Sequence, residues 1–421
     1  MNTSDLVAIA MKILSLTLVL LVALQTAACR AESVTTEQAL ARAVEYLWSK
    51  QAADGAWRSE QYGVMRSGES LTPFVLNAIL QTINDMPSDA GGRVLLAAHF
   101  IEQHVDEQGA IGRSDPEVLE YPVYSTAYAV QSLRRIEDYQ KLLGGRRFHS
   151  TGLMQAFLMS AQYQEANGFS ETDVPYGGWG FNAPVRSGVV GHMDLAHTRK
   201  ALAALQSLAD TPESHALRQR AQLFLLLMQK HPDAAAPQPH PVEIPGTELP
   251  SPFDGGFYFS PVALSANKAL YDEENFCWRS YATATCDGIL ALLAAGVGED
   301  DQRLVAAVEW LKEHSDVDYP QGVPTDHPEP WGDAIRFYHY AVRAEVYRRL
   351  NFPVEDRAWL AAAVITHQRP DGSFVNTMSP LMKEDDPVVC TTLAAMALEH
   401  LVQVAHPCST CTSVVAGWSG P

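Results

Sequence analysis

Apolar residues recur at spacings of three and four in five separate segments of the chain. These segments are SLTPFVLNAIL at 70–80, YSTAYAVQSL at 124–133, AHTRKALAALQSL at 196–208, YATATCDGILALL at 281–293 and CTTLAAMALEHL at 390–401. This spacing puts the apolar side chains on one face of a helix, and a Ser or Thr near each start can cap free backbone N–H groups. The pattern therefore predicts five helices that each bury one face.

A glycine followed by an aromatic residue marks a turn before these helices. The segment AADGAW ends at Trp57 and RPDGSF ends at Phe374, and each follows a predicted helix that ends in glutamine, at Gln51 and Gln368. Weaker copies of the turn are DEQGAIG at 106–112, YGGWGF at 176–181, DGGFYF at 254–259 and a degraded one near Gln321-Gly322. The chain thus repeats a helix, a glycine turn and a second helix at intervals of roughly 50 to 75 residues.

Two helices per repeat predict a set of stacked helical hairpins. One hairpin cannot bury its apolar face alone, so five or six of them must pack on one another, as an open solenoid or as a closed ring. The glycine permits a left-handed turn, and the aromatic side chain after it can pack beneath the next helix, which favours the ring. We therefore expect an all-α fold, an α/α toroid (barrel) of five to six hairpins over residues 38–402.

The order of glutamine, short gap and Gly-x-aromatic after a helix resembles the Q-W repeat of squalene and hopene cyclases and the related repeat of protein prenyltransferase β subunits. The resemblance is clearest at residues 43–57 and 361–374. The segments RSYATATCDGILALL, AVEWLKEHSDVDYPQG, RFYHYAVRAE and HQRPDGSFVN are similar, in that order, to the C-terminal half of uncharacterised bacterial members of this repeat family. The resemblance implies a terpenoid cyclase-like toroid and leaves the chemistry open.

Asp194-Leu195-Ala196-His197-Thr198 stands where class II terpene cyclases carry their proton donor in a D-x-D-D-T motif. The first Asp and the Thr match the motif. Ala196 replaces the Asp that delivers the proton in the cyclases, and His197 replaces the last Asp. Because a methyl group cannot protonate an alkene, we expect no cyclisation of squalene or oxidosqualene.

The prenyltransferases of the family hold zinc with an Asp-x-Cys pair and a distant histidine. In this chain Cys286 directly precedes Asp287, and His339 stands roughly at the place of the distant histidine. Neighbouring residues of a helix point about 100° apart, so Cys286 and Asp287 cannot easily share one ion. There is no Gly-rich phosphate loop either, and we predict neither a metal nor a cofactor.

In a toroid the N-termini of the inner helices converge on one mouth, where their positive ends favour anionic groups. A carboxylate beside an imidazole at such a mouth can work as an orienting group and a base. The candidate catalytic residues are Asp194, His197 and His339, and the candidate cavity-lining residues are Tyr338, Tyr340 and Asp287. Each has a structural interpretation too: Asp194 as a helix cap, His197 as its polar neighbour, and the residues around His339 as packing side chains.

The charge of the chain narrows the range of partners. There are 30 Lys and Arg against 49 Asp and Glu, which gives a formal net charge of −19. Such a surface repels phosphate backbones, so the sequence argues against a nucleic-acid partner. With 47% hydrophobic and 19% charged residues, the chain has the composition of a globular protein with a large core.

The first 29 residues have the order of a secretory signal peptide. Lys12 precedes an apolar run at 13–24, and the small residues Thr-Ala-Ala lead to Cys29. Small residues before a cysteine resemble a bacterial lipobox, although this one has Thr where Leu is usual, and the resemblance implies cleavage and lipidation at Cys29. We expect an exported, lipid-anchored protein with a linker at 30–37 and a C-terminal tail at 403–421.

Two functions remain open on the sequence. One is an extracytoplasmic enzyme that acts in the toroid cavity on an isoprenoid-like or other apolar substrate. The other is a non-catalytic protein that holds a lipid, a glycan or a protein segment near the membrane, which the loss of both known catalytic sets favours. A third interpretation, a carbohydrate-active toroid, needs two carboxylates facing one cleft. The polarity of the cavity and the placing of its carboxylates distinguish the three.

Overall fold

The structure is a computed structural model that describes residues 34–82, 90–115, 117–141, 148–184, 186–241 and 253–402. The predicted signal peptide with Cys29 and the predicted tail at 403–421 lie outside the described residues. Within the described ranges the chain is mainly helical, with two short antiparallel pairs of strands.

The helices are α1 (Thr36–Ser49), α2 (Leu71–Gln81), α3 (Ala90–Gln103), α4 (Pro122–Lys141), α5 (Ser150–Ser160), α6 (Leu195–Leu205), α7 (Pro212–Met228), α8 (Ala282–Ala294), α9 (Gln302–Glu313), α10 (Trp331–Ala334), α11 (Arg336–Arg349), α12 (Val354–Ile365) and α13 (Pro387–Leu401). Strand β1 (Trp179–Gly180) pairs with β2 (Met193–Asp194), and β3 (Tyr271–Asp272) pairs with β4 (Cys277–Trp278). Single 3-10 turns lie at Gly63–Met65, Glu165–Asn167 and Leu264–Ala266.

Six helices form a closed inner ring. Helix α2 packs on α4, α4 on α6, α6 on α8, α8 on α11 and α11 on α13, and α13 packs back on α2. The outer layer consists of α1, α3, α5, α7, α9 and α12, each of which packs on at least one inner helix. The predicted α/α toroid is therefore confirmed, with six hairpins in the described part of the chain.

The turn between an outer and an inner helix requires a glycine. At Gly177 the φ angle is +83°, and a Cβ would lie 1.9 Å from the carbonyl oxygen of Arg220 on α7. A side chain here would strain the backbone and push away the outer helix of the next repeat. Left-handed glycines that also face the backbone of the next outer helix stand at the same place in four other repeats, at Gly55, Gly109, Gly255 and Gly372. In the remaining repeat the left-handed Gly322 instead faces Ser280 and Tyr281 at the start of α8.

The glutamine that follows an outer helix links successive repeats. Gln229 is fully buried, and its Nε2 donates to the carbonyl oxygen of Gly255 at 2.9 Å and to that of Arg303 at 2.7 Å. Gly255 belongs to the turn of the same repeat, whereas Arg303 lies on the next outer helix. Gln368 makes the same two bonds, to Gly372 and to Ala39 of α1, so this contact also joins the last repeat to the first.

A threonine near the start of an inner helix holds the turn. The Thr198 hydroxyl accepts a hydrogen bond from the Trp179 backbone N–H at 3.0 Å, and the Trp179 indole donates to the Leu158 carbonyl at 2.6 Å. The equivalent hydroxyls of the other repeats that have one belong to Thr72, Thr126, Thr285 and Thr391. The sequence suggested helix caps for such residues, but these five accept from the preceding turn and so fix the hairpin.

The first turns of neighbouring inner helices lie side by side at one mouth of the ring, where buried carboxylates fasten the loops. Glu69 accepts from the backbone N–H groups of Gly112 and Arg113, and Glu120 accepts from that of Ser70. Each carboxylate is held by amide groups of a neighbouring loop. The mouth is therefore a hydrogen-bonded rim.

The interior of the layers is a continuous hydrophobic core, in which Trp57, Trp179 and Phe374 of the repeat turns are fully buried. Among the helices of the described ranges, none combines the length and the hydropathy that a membrane span requires.

Candidate functional site

Asp194 is fixed at the mouth by a short hairpin. It ends β2 opposite Trp179 of β1, and it is the N-cap of α6. Its Oδ1 accepts from the His197 backbone N–H at 2.9 Å, as a capping residue does. Its Oδ2 lies 2.8 Å from His197 Nδ1, so the same carboxylate also orients the imidazole. Asp194 is therefore both the cap of α6 and the residue that orients the His197 imidazole.

A second histidine joins this pair from the preceding loop. His192 Nε2 lies 3.2 Å from Asp194 Oδ2, and 47% of the His192 side chain is exposed, whereas Asp194 is buried. Burial alone would raise the pKa of Asp194, but His197 and His192 more than offset it and hold that pKa well below its usual range. The hydrogen bond to Asp194 raises the pKa of His192. The carboxylate is thus ionised between two imidazoles.

The other ring nitrogen of His197 is buried without a hydrogen-bond partner among the described residues. Tyr124 packs edge-on against the imidazole with ring centroids 4.3 Å apart, and the Phe181 ring lies at 6.1 Å. A carboxylate that accepts the Nδ1 proton leaves the Nε2 lone pair as a base. The arrangement can take a proton from a ligand placed against these rings.

Below the mouth the lumen is occupied by an ionic network. Arg199 of α6 donates from Nη1 to Asp287 Oδ1 of α8 at 3.0 Å and from Nη2 to Glu345 of α11. The Tyr338 hydroxyl lies 3.0 Å from each carboxylate oxygen of Asp287. Arg199, Asp287 and Glu345 come from three helices, so their charges meet only when the ring closes. The sequence predicts Asp287 as a cavity-lining residue, and in the structure its carboxylate is bound to Arg199.

The pKa values of the two carboxylates of the network are shifted in opposite directions. Burial raises the pKa of Asp287, and Arg199 opposes this only in part. Burial acts in the same direction on Glu345, but Arg199, His400, Lys200 and Arg349 together outweigh it and lower the pKa of Glu345 to about 2. Both carboxylates are bound to one guanidinium, which does not leave them free as the acid and base of a glycosidase.

Lys200 lies beside this network. It is 5% exposed, its Nζ stands 4.7 Å from the centroid of the Tyr128 ring, and it forms no hydrogen bond within the described residues. Burial lowers the pKa of Lys200 to about 7, and the charge of Arg199 adds to that effect.

The structure does not bring His339 and Tyr340 to the Asp194 cluster. His339 Nδ1 lies 3.1 Å from Thr283 Oγ1, and burial lowers the pKa of His339 well below its usual value. The Tyr340 hydroxyl donates to Asp318 in the loop before α10. Successive helical residues point about 100° apart, which separates the two side chains from Tyr338 although they follow it directly.

Cys286 and Asp287 diverge in the same way. Cys286 packs in the hydrophobic core, where burial raises the pKa of its thiol to about 12, whereas Asp287 faces Arg199 in the lumen. Ala196 is 3% exposed and adds a methyl group to the mouth.

Several residues at the mouth and in the lumen below it were not identified from the sequence. They are His192, Tyr124 and Lys268 at the mouth, and Arg199, Lys200 and Glu345 in the lumen. One signal was available for two of them: the adjacent cations of AHTRKALAAL stand in an otherwise apolar helix, and buried charges require partners.

Comparisons with known proteins agree with the fold. No family model matches the sequence and no curated protein matches it either. A variant of the type II terpene cyclase MstE from Scytonema, in complex with its substrate geranylgeranyl dihydroxybenzoate, superposes with a TM-score of 0.50 at 15% identity over 87% of this chain and 96% of that one. A protein from Actinoplanes (TM-score 0.49, 17% identity, 87% and 98% covered) and D-mannose isomerase (0.46, 12%, 86% and 96%) are also similar. The likeness to the cyclase, at 15% identity, shows a terpenoid cyclase-like toroid fold and no activity.

Proposed function

We propose that this protein is an extracytoplasmic enzyme that performs acid–base chemistry at the mouth of the toroid, with His197 as the base and Asp194 as its orienting partner. The observation that supports this is the 2.8 Å contact between Asp194 Oδ2 and His197 Nδ1, together with the unpartnered Nε2 of the same ring. His339 also has an unpartnered Nε2, but its Nδ1 lies beside the Thr283 hydroxyl. At His197 a carboxylate can hold the ring proton on Nδ1 and so leave the Nε2 lone pair as a base.

The proposed step is a proton transfer. With the Nδ1 proton held by Asp194, the Nε2 lone pair takes a proton from an O–H or an acidic C–H of the substrate and returns it to another atom. Asp194 stays ionised throughout and stabilises the imidazolium. The rings of Tyr124 and Phe181 offer a surface for an apolar part of the substrate, such as an isoprenoid-like chain.

Alkene cyclisation is not part of the proposal. Ala196 has no proton to give, and the polar lumen with Arg199 and Asp287 does not offer a hydrocarbon chamber. We expect no cyclic product from squalene or oxidosqualene.

We also propose that the protein is exported and held at the membrane by a lipid on Cys29, as its lipobox-like sequence suggests. Mass spectrometry of protein purified from membranes tests this. Residues 13–28 still attached to the chain, or an unmodified Cys29 thiol, would contradict the anchor.

The test of the enzymatic function starts from a thermal-shift screen of isoprenoids, lipids and glycans, because a compound that binds the folded state raises its melting temperature. Each hit is then incubated with the protein in D₂O and followed by NMR for proton exchange or product. We expect His197→Gln to keep the thermal shift and to lose roughly 10²- to 10⁴-fold in rate. His339→Gln, a buried histidine bound to Thr283, should keep both. A wild-type rate in His197→Gln would overturn the proposal.

The second candidate is a binding protein that uses the same mouth without turnover. The network around Arg199 favours it, because an occupied lumen leaves the rim as the surface for a lipid, glycan or protein segment. This function would be supported by a compound that binds the wild-type protein but shows neither hydrogen exchange nor conversion to a product in D₂O.

A further inference from the structure

Lys268 is a second buried cation at the mouth, on a different loop from Asp194. It is 5% exposed and follows the 3-10 turn Leu264–Ala266. The Asn267 side chain fixes this loop, since its Oδ1 accepts from the Phe259 and Ser260 backbone N–H groups. The backbone that carries Lys268 is therefore held independently of any ligand.

This loop lies directly over the start of α6. The Leu195 backbone N–H donates to the Phe259 carbonyl at 2.9 Å, and the Ser260 hydroxyl donates to the Met193 carbonyl at 2.6 Å. Leu195 and Met193 flank Asp194 in the chain. The loop that carries Lys268 and the segment that carries the Asp194–His197 pair thus form one hydrogen-bonded unit.

The ammonium group of Lys268 lies between aromatic rings. Its Nζ is 4.3 Å from the centroid of the Phe259 ring and 5.2 Å from that of Trp331. It donates one hydrogen bond, to the Ala266 carbonyl at 3.2 Å, and within the described residues it has no carboxylate at ion-pair distance. An ammonium has three protons to donate, so two are left for another acceptor.

The charges around Lys268 support its protonated form. Burial lowers the pKa of Lys268 to about 8, against the opposing effects of Asp194 and Asp287. The amine therefore keeps its proton at neutral pH. Lys268 in turn acts on His192, whose pKa it lowers against the effect of Asp194. Lys268 therefore places a buried positive charge at the mouth of a chain with a net charge of −19.

We infer that Lys268 is an anion-binding residue, which takes a carboxylate or phosphate group of a flat or chain-like organic acid while the Asp194–His197 pair handles a proton of the same molecule. This inference rests on the proposed function and names its substrate class. The flat rings of Phe259 and Trp331 would lie along the organic part, and the ammonium would contact the anionic oxygens. Besides the Lys268 ammonium, the Nε2 atom of His197 at this mouth also lacks a hydrogen-bond partner among the described residues.

The experiment compares anionic probes with neutral ones of the same shape: benzoate with benzamide, and phenyl phosphate with phenol, with inorganic phosphate as the ion alone. Binding to the full chain is measured by calorimetry and by thermal shift at neutral pH. We expect benzoate or phenyl phosphate to bind more tightly than its neutral partner. Lys268→Met should weaken that binding roughly ten- to hundredfold, which is the effect of one charge-assisted hydrogen bond.

Lys200→Met is the matched control, because Lys200 is also 5% exposed and also lies over an aromatic ring, but in the lumen. It should bind the probes as the wild type does. Lys268→Gln is a second neutral variant in case the methionine disturbs the loop. Equal binding of benzoate and benzamide, tight binding by both Lys268 variants, or equal loss in the Lys200 variant would overturn the inference.

The two proposals fail separately. If the anionic probes bind through Lys268 but His197→Gln turns over an identified substrate at the wild-type rate, the anion site stands and the acid–base function falls. If neither anionic probe binds the wild type, the inference about Lys268 is overturned, and the exchange experiment on His197 remains valid for neutral hits.

Discussion

The Asp194 carboxylate holds His197 twice, with Oδ1 on its backbone N–H at 2.9 Å and Oδ2 beside its ring nitrogen Nδ1 at 2.8 Å. Helix capping and imidazole orientation are therefore combined in one side chain. The two roles respond differently to substitution, since capping needs one oxygen atom whereas orientation of the imidazole needs an acceptor for the Nδ1 proton.

Asp194→Asn should keep the helix cap and reverse the tautomer of His197. The asparagine oxygen can still accept from the His197 backbone N–H, but its NH₂ group would donate to Nδ1, which moves the ring proton to Nε2. NMR of the imidazole nitrogens should therefore show an Nδ1-protonated ring in the wild type and an Nε2-protonated ring in the variant. We expect a loss of roughly 10²- to 10⁴-fold in any activity that depends on His197.

Asp194→Ala should lose both roles and destabilise the protein by roughly 1 to 2 kcal/mol through the lost cap. Asp301→Asn is the control, because Asp301 caps outer helix α9 through the Arg303 N–H and lies away from the mouth. It should leave the His197 tautomer unchanged. The same tautomer in Asp194→Asn and the wild type would show that Asp194 is only a cap.

The relation between Asp194 and His197 could be predicted because it is local: three residues apart at a helix start, the two side chains must meet. The toroid could also be predicted, because Gly177 and its equivalents recur with the apolar pattern. The surroundings of His339 and Tyr340 could not be predicted from their place beside Tyr338 in the chain. Because successive helical residues point in different directions, His339 contacts the Thr283 hydroxyl and Tyr340 donates to the Asp318 carboxylate.

The contents of the lumen could not be predicted. Arg199 and Asp287 are 88 residues apart in the chain and lie on the neighbouring inner helices α6 and α8. Their pairing therefore depends on how these two helices are positioned against each other in the closed ring. Lys268 likewise reaches the Asp194 segment through a loop of another repeat. A single sequence gives the faces of each helix, but the rotation of one helix against the next is set by packing.

Arg199→Met should strongly destabilise the fold. Its removal leaves the buried Asp287 and the partly buried Glu345 without their cation, and breaking a buried ion pair costs roughly 3 to 5 kcal/mol. Chemical denaturation at neutral pH measures the loss. Acid should partly restore the variant, because unpaired buried carboxylates have folded-state pKa values above the unfolded ones and so lose stability as pH rises.

Two further variants check the cause. Arg349→Met removes a half-exposed guanidinium 3.8 Å from Glu345 and should cost less than about 1 kcal/mol. Combining Arg199→Met with Asp287→Asn and Glu345→Gln should recover part of the loss, since neither carboxylate is then left without its cation. A single Arg199 variant as stable as the Arg349 variant would contradict the central role of the network.

Glu384 should make the stability depend on pH between about 4.5 and 7. It is buried, and it accepts hydrogen bonds from the Phe337 and Tyr338 backbone N–H groups at the start of α11 and from Asn376. Burial raises the pKa of Glu384 from 4.5 to about 7, and these donors oppose it only in part. A folded pKa above the unfolded one gives a contribution that is full below pH 4.5 and is lost as pH rises through about 7.

Glu384→Gln removes this titration while it keeps one acceptor oxygen and the shape of the side chain. Unfolding curves of the wild type and the variant across pH 4 to 8 should therefore converge or cross, with the wild type losing stability relative to the variant as pH rises. A constant difference between the two curves over this range would show that Glu384 does not titrate there.

Gly152 and Gly177 belong to the same repeat, the first in the outer helix α5 and the second in the turn that follows it. Gly177 has a φ of +83°, and its Cβ would meet the Arg220 carbonyl oxygen at 1.9 Å, whereas Gly152 lies within α5 and has open space around it. Gly177→Ala must adopt a disfavoured backbone and move α7, so we expect a loss of more than about 2 kcal/mol and expression mainly as aggregate.

Gly152→Ala should instead stabilise the protein by roughly 0.5 to 1 kcal/mol, because alanine loses less backbone entropy in a helix and meets no neighbour. Thermal and chemical unfolding of both variants measure the difference. The two substitutions add the same methyl group, so the opposite expected changes in the free energy of unfolding follow from the backbone conformation and the surroundings of each glycine. A Gly177 variant that is as stable as the wild type would mean that the repeat turn does not require its left-handed glycine. The explanation given for the recurrence of this glycine in five hairpins would then be wrong.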